Sequence, residues 1–180
     1  MHDPRLTTLA HVLVHYCLDA RKGDLFVIRV AGNIVAPSQI GSVEFAAEQF
    51  GTALVVVLGH SRCGAVQATL EELTRPGGSR SRNLGSIIDR VRPSVEPLLA
   101  TDLRDDRDAL VRHAVRANIR ASADQLRHGS EILERLIRQG RLFVVGAEYS
   151  LETGTVEFFD EVSESGARRT APRAAPDAEP

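Results

Sequence analysis

The sequence predicts an α/β fold: a mainly parallel β-sheet flanked by helices, with an antiparallel edge strand near the carboxyl end. Three observations predict it. Short aliphatic runs alternate with stretches of helical spacing, the pattern of strands joined by crossover helices. The runs at 25–30, 54–58 and 142–147 hold almost no polar residues, as strands covered on both faces require. Last, Thr155-Val156-Glu157-Phe158-Phe159 follows the turn Leu151-Glu152-Thr153-Gly154 directly, leaving room for a hairpin return but not for a crossover.

Taken in order, the first strand covers 25–30 and ends at Ala31-Gly32-Asn33. A helix over 42–50 places Val43, Ala46, Ala47 and Phe50 at core spacing, and Gly51 closes it in a left-handed cap. Leu54-Val55-Val56-Val57-Leu58 is a buried strand, after which Gly59 lets the chain turn and Gly64-Ala65-Val66 opens a helix running to about residue 73. Pro, Gly and Ser mark 75–82 as a surface loop with solvated arginines. Helices near 86–91 and over 106–127 lead to Gly129-Ser130, where Ser130 caps a short helix over 131–138. The strand over 142–147 and the edge strand over 155–159 complete the sheet. The expected organisation is an atypical amino-terminal helix or strand over 1–22, an α/β domain over 23–162, and a disordered, Ala-, Pro- and Arg-rich tail over 163–180.

Composition narrows the function classes. At 180 residues, 43% hydrophobic and net charge -2, the chain can build one core and carries no excess of positive charge for a nucleic acid. No apolar run reaches the roughly 20 residues of a membrane span, and the first residues lack a signal-peptide layout, so a cytoplasmic protein without membrane partner is expected. Two cysteines, Cys17 and Cys63, are too few for a disulfide framework and suit a reducing compartment.

The chemistry concentrates at His60-Ser61-Arg62-Cys63. An imidazole and a thiolate three residues apart, delivered by a buried strand onto a helix start, can grip one tetrahedral ion. The same spacing also describes a capped turn beside a buried small thiol. An exposed, glycine-flanked turn favours the ligand reading.

Around this turn, Gly23-Asp24-Leu25-Phe26-Val27-Ile28-Arg29-Val30-Ala31-Gly32-Asn33, Gly41-Ser42-Val43-Glu44-Phe45-Ala46, and Val145-Gly146-Ala147-Glu148-Tyr149 with Thr153-Gly154 stand in order and at matching spacing. With them, residues 19–160 resemble the β-class carbonic anhydrase family. The resemblance implies reversible hydration of carbon dioxide to bicarbonate and a proton by zinc-bound hydroxide, with zinc held by two cysteines and one histidine. His60 and Cys63 match two of those ligands. It also implies a homodimer or higher homo-oligomer.

The family's first cysteine opens a Cys-x-Asp-x-Arg motif at the end of the first strand, and its aspartate orients the hydroxide while pairing with the arginine. Cys17-Leu18-Asp19-Ala20-Arg21 satisfies that pattern literally, giving Cys17 as third ligand and Asp19 and Arg21 as the catalytic pair. Only Lys22 then separates the motif from Gly23, whereas parallel neighbours need a crossover of about a dozen residues. A second register reads 18–24 as the end of that crossover and puts Thr7, Leu9 and His11 at the motif positions. It leaves Cys17 on the face of a helix begun by Asp3-Pro4, and we favour it on connection length. A strand reading of Val12-Leu13-Val14-His15-Tyr16-Cys17 stays open, and on the second register a rearranged first turn would let Cys17, His11 or His15 swing in as the third ligand.

On the second register the chain is an amino-terminally truncated or degenerate member, acting as a catalytically impaired binding or structural subunit; on the first it is the zinc lyase. A related hydrolase acting on another small electrophile fits the same metal fold. Arg29 and Tyr149 match positions of a bicarbonate pocket found in some family members, but that pocket also uses a tryptophan and this chain has none, so Arg29 is expected to be a structural cation. Ser61 and Arg62 are expected to be merely solvated, as are His2, His113 and His128.

Overall fold

The computed structural model describes residues 25–75 and 81–158. The readings for 1–22 and for the tail, together with Cys17, Asp19 and Arg21, lie outside these residues. Among the described residues three strands form one sheet in the order β1-β2-β3: β1 is Leu54–His60, β2 is Phe143–Tyr149 and β3 is Val156–Phe158. β1 and β2 run parallel, with His60 opposite Tyr149, and β3 returns antiparallel with Val156 opposite Tyr149. The expected α/β class, with helices flanking a mixed sheet, is what the chain forms.

Among the described residues five α-helices surround the sheet: α1 (Pro37–Gln49), α2 (Gly64–Thr74), α3 (Arg82–Val95), α4 (Arg107–His128) and α5 (Glu131–Arg138). Their ends follow from local chemistry. Pro37 starts α1 five residues earlier than expected, since a fixed φ and a missing N–H suit the first helical turn. Gly51 follows α1 at φ 67°, a conformation that costs glycine nothing. Ser81, Asp106 and Ser130 each accept a hydrogen bond from the third backbone N–H beyond them, capping α3, α4 and α5.

α4 packs against both β1 and β2. Its apolar face supplies Leu110, Ala114, Val115, Ile119, Ala123 and Leu126 to a core shared with Val57, Val66, Val91, Val95, Leu133 and Val144. Val144, Val145, Gly146 and Ala147 are all buried in succession, so β2 is the central strand covered on both faces. Arg116 of α4 holds the edge strand by pairing with Glu148 at 2.7 Å and Glu157 at 2.5 Å. Among the described residues no helix is long and apolar enough to cross a membrane.

Three expectations need correction. Residues 25–30 form no strand: Phe26 is 54% and Val27 60% exposed. A strand needs a hydrogen-bonded neighbour, and among the described residues β1 pairs with β2 alone, so no ladder reaches this segment. Among the described residues β1 accordingly sits at the sheet edge, with only Val57 and Gly59 buried, rather than covered throughout. Phe50, expected in the core, is 72% exposed because α1 ends before it; its ring packs instead edge-on against Phe45, at 5.5 Å.

Candidate metal centre

His60 is the last residue of β1 and Cys63 the N-cap of α2, so the two donors stand at the carboxyl end of a parallel strand, where open α/β sheets place their chemistry. Reaching the helix from the strand takes a sharp turn. Arg62 makes it with φ 56°, the left-handed region that costs a non-glycine residue about 1 kcal/mol or more.

The His60 ring is partly buried and its Nδ1 lies 2.9 Å from the Ser61 carbonyl. A carbonyl only accepts, so Nδ1 carries the proton and Nε2 keeps its lone pair for a metal. The hydrogen bond to Cys63 raises the imidazole above its ordinary pKa; burial opposes this, and the Ser61 carbonyl adds to the rise.

Cys63 is only 4% exposed and borders the hydrophobic core, which corrects the expectation of an exposed thiol. Burial pushes the thiol up. His60 and the Val66 and Ala65 amides at the start of α2 outweigh burial and hold it below its ordinary value, although the sulfur closes no capping hydrogen bond. A lowered thiol beside a tautomer-fixed imidazole is the donor chemistry zinc takes. Among the described residues no group of three or more His, Cys, Asp or Glu side chains that could hold a metal converges.

A buried polar hub supports the wall beside His60. Asn118 of α4, 2% exposed, donates from Nδ2 to the Gly32 carbonyl at 2.7 Å and to Asn33 Oδ1 at 3.3 Å. Asn33 Nδ2 in turn donates to Ser122 Oγ at 3.3 Å. The hub fixes a single turn of 3₁₀ helix, Ala31–Asn33, in which Gly32 and Asn33 both have positive φ. Gly32 is required there: a methyl group would stand 3.1 Å from the Ala65 Cβ as well as in a disfavoured backbone region.

Comparison with known proteins meets this geometry. A family model described as carbonic anhydrase matches residues 10–156. The solved β-carbonic anhydrase CcaA superposes with a TM-score of 0.67 at 26% identity, covering 88% of this chain and 74% of that one. The chain belongs to the β-class carbonic anhydrase family. Carbonic anhydrase 2 of Mycobacterium tuberculosis is 32% identical over 162 residues, covering 87% of this chain and 73% of that protein. A chain from the crystal structures of two tetrameric β-carbonic anhydrases of the filamentous ascomycete Sordaria macrospora shares the fold, with a TM-score of 0.66 at 23% identity over 87% of this chain and 75% of that one. By family, this β-carbonic anhydrase is a carbonate dehydratase.

Of the residues expected at the site, His60 and Cys63 come together. Arg29 is exposed, and Tyr149 is buried at the end of β2, opposite His60. His113 and His128 are exposed, as expected. Ser61 and Arg62 are more than solvated. Ser61 Oγ donates to Glu152 Oε2 at 2.7 Å, and Arg62 Nε pairs with Glu152 Oε1 at 2.7 Å. Sequence reasoning missed Glu152 and Asn118, because the first depends on the β1–β2 register and the second on which face of α4 meets the 31–33 turn.

Proposed function

We propose that this chain hydrates carbon dioxide reversibly to bicarbonate and a proton, using zinc held by His60 Nε2, the Cys63 thiolate and the Cys17 thiolate. The observation that carries the reading is the pairing of a fixed imidazole tautomer with a lowered thiol at the carboxyl end of β1. When bound there, zinc supplies a Lewis acid that lets water ionise near neutral pH.

Among the described residues no strand pairs with 25–30, and the reading that takes Cys17 as third ligand rests on this. The connection-length objection to the literal motif assumed that this segment lies beside the first strand, and without that pairing one intervening residue breaks no crossover rule. On this reading Asp19 accepts a hydrogen bond from the attacking water and orients it. Arg21 holds the Asp19 carboxylate ionised for that task. His60 and Cys63 stay fixed as donors while the released proton passes to solvent.

A homo-oligomer belongs to the same proposal, supported by the exposed Leu25, Phe26, Val27, Phe45 and Phe50, which an isolated chain would leave in water. A cytoplasmic setting accords with a metal-binding thiol kept reduced. The test compares zinc content and carbon dioxide hydration of the parent chain, Cys63→Ser and Cys17→Ser, with light scattering for mass. About one zinc per chain, lost in both variants together with activity, is expected. A Cys17→Ser protein with parental zinc and rate removes Cys17 from the site. A parent without zinc refutes the zinc reading, and a mass equal to one 19.6 kDa chain refutes the oligomer.

A further inference from the structure

The two residues between the donors are held from outside their own loop. Ser61 uses every polar group it has: its amide donates to the Tyr149 carbonyl at 2.9 Å, and its hydroxyl donates to Glu152 Oε2 at 2.7 Å. The same hydroxyl accepts from the Leu151 amide at 2.9 Å, and the carbonyl takes the His60 Nδ1 proton. Arg62, in its left-handed conformation, reaches the other oxygen of the same carboxylate. Ser150 Oγ donates to Glu152 Oε2 at 3.2 Å and keeps the acid in place. One carboxylate therefore grips both residues of the connection from a turn 91 positions away.

We propose that Glu152 is a positioning residue of the metal centre. Its grip on Ser61 sets the carbonyl that orients the His60 ring, and its grip on Arg62 stabilises the left-handed turn that delivers Cys63 to the start of α2. The acid touches neither donor. It acts through the backbone between them, as outer partners of metal ligands do when they restrict ligand orientation. The hydrogen bond from Ser61 above all holds the Glu152 carboxyl below the usual carboxylate range, so the grip is ionic at neutral pH. The functional consequence rests on the zinc reading above; the ordering of the turn does not.

The experiment uses the full chain with Glu152→Ala and Glu152→Gln, the latter keeping an acceptor for Ser61 but no charge for Arg62. Zinc transfer to a chromogenic chelator should be about ten-fold or more faster in Glu152→Ala and intermediate in Glu152→Gln. The absorption bands of the cobalt-substituted protein should shift in the same order, which a merely structural role would not produce. Hydrogen exchange across 60–64 of the metal-free chain should quicken in Glu152→Ala by more than exchange elsewhere in the chain, while its thermal midpoint falls only slightly because Glu152 is exposed. Parental zinc transfer and cobalt bands in Glu152→Ala overturn the positioning role. If the parent takes up no zinc, the zinc reading falls separately, and unchanged exchange in Glu152→Ala then overturns the clamp itself.

Discussion

Gly59 precedes His60 on β1, and the missing side chain is what lets α4 lie against the strand. A methyl group added there would stand 2.5 Å from both Cγ1 and Cδ1 of Ile119, which is fully buried. Carbon atoms pack at about 3.5–4.0 Å, so the overlap is near 1 Å or more and falls partly on Cγ1, close to the backbone. Overpacking of this kind costs about 1–3 kcal/mol. For a chain of this size each kcal/mol lowers the midpoint by about 2–4 °C, so Gly59→Ala should melt roughly 2–12 °C below the parent. Thermal and urea unfolding measure this, with an unchanged urea slope showing that the folded state itself was penalised. Ile119→Val removes Cδ1 and alone should cost about 0.5–1.5 kcal/mol. Combined, the two should cost less than their sum by about 0.5 kcal/mol or more, because the removed methyl is one of the two that clash. Parental stability in Gly59→Ala, or strict additivity in the pair, would refute the packing argument.

Asn118→Leu should lower stability by about 1–3 kcal/mol, since it leaves the Gly32 carbonyl without its buried donor; urea midpoints test this, and a parental midpoint would remove the hub from the account. The Glu152 carboxyl, held low by Ser61 first and helped by Arg62, lends stability that is present above the ordinary carboxylate pKa of about 4.3 and is lost as pH falls through its lowered folded value. Melting curves of parent and Glu152→Gln in metal-free buffer should therefore converge as pH falls from 6 toward 3. A gap that persists at acid pH would show that charge on Glu152 is not its source.

Much of this was legible in the chain because it is written locally. The aliphatic run of β1, the Gly51 cap and the Ser130 cap depend on neighbours within a few residues, and each forms as the sequence predicts. The His60–Cys63 spacing was legible for the same reason. What the sequence concealed is non-local. The run at 25–30 reads as a strand by composition, yet a strand exists only with a partner, and none of the described strands extends the sheet to it. Phe50 has helical spacing but lies one residue past the end of α1, where the face no longer points inward. Glu152 looks like an ordinary turn acid until the pairing of His60 with Tyr149 lays the 150–152 turn along Ser61 and Arg62. Cys63 looked exposed because its flanking glycines suggest a surface turn; the core packed beneath α2 covers it.

The Ser61–Glu152 bond also orders events in time. Domains emerge from the ribosome at about 5–20 residues per second, so the 91 positions separating these two residues correspond to roughly 5–18 s during which the His60–Cys63 turn exists without its anchor. Throughout that interval the parallel β1–β2 pair is also unformed, and closing so long a loop is slow. On the zinc reading proposed above, the contiguous four-residue motif matures only when the last strands of the sheet arrive, which would make ion capture a late step in the life of a new chain and couple it to completion of the fold.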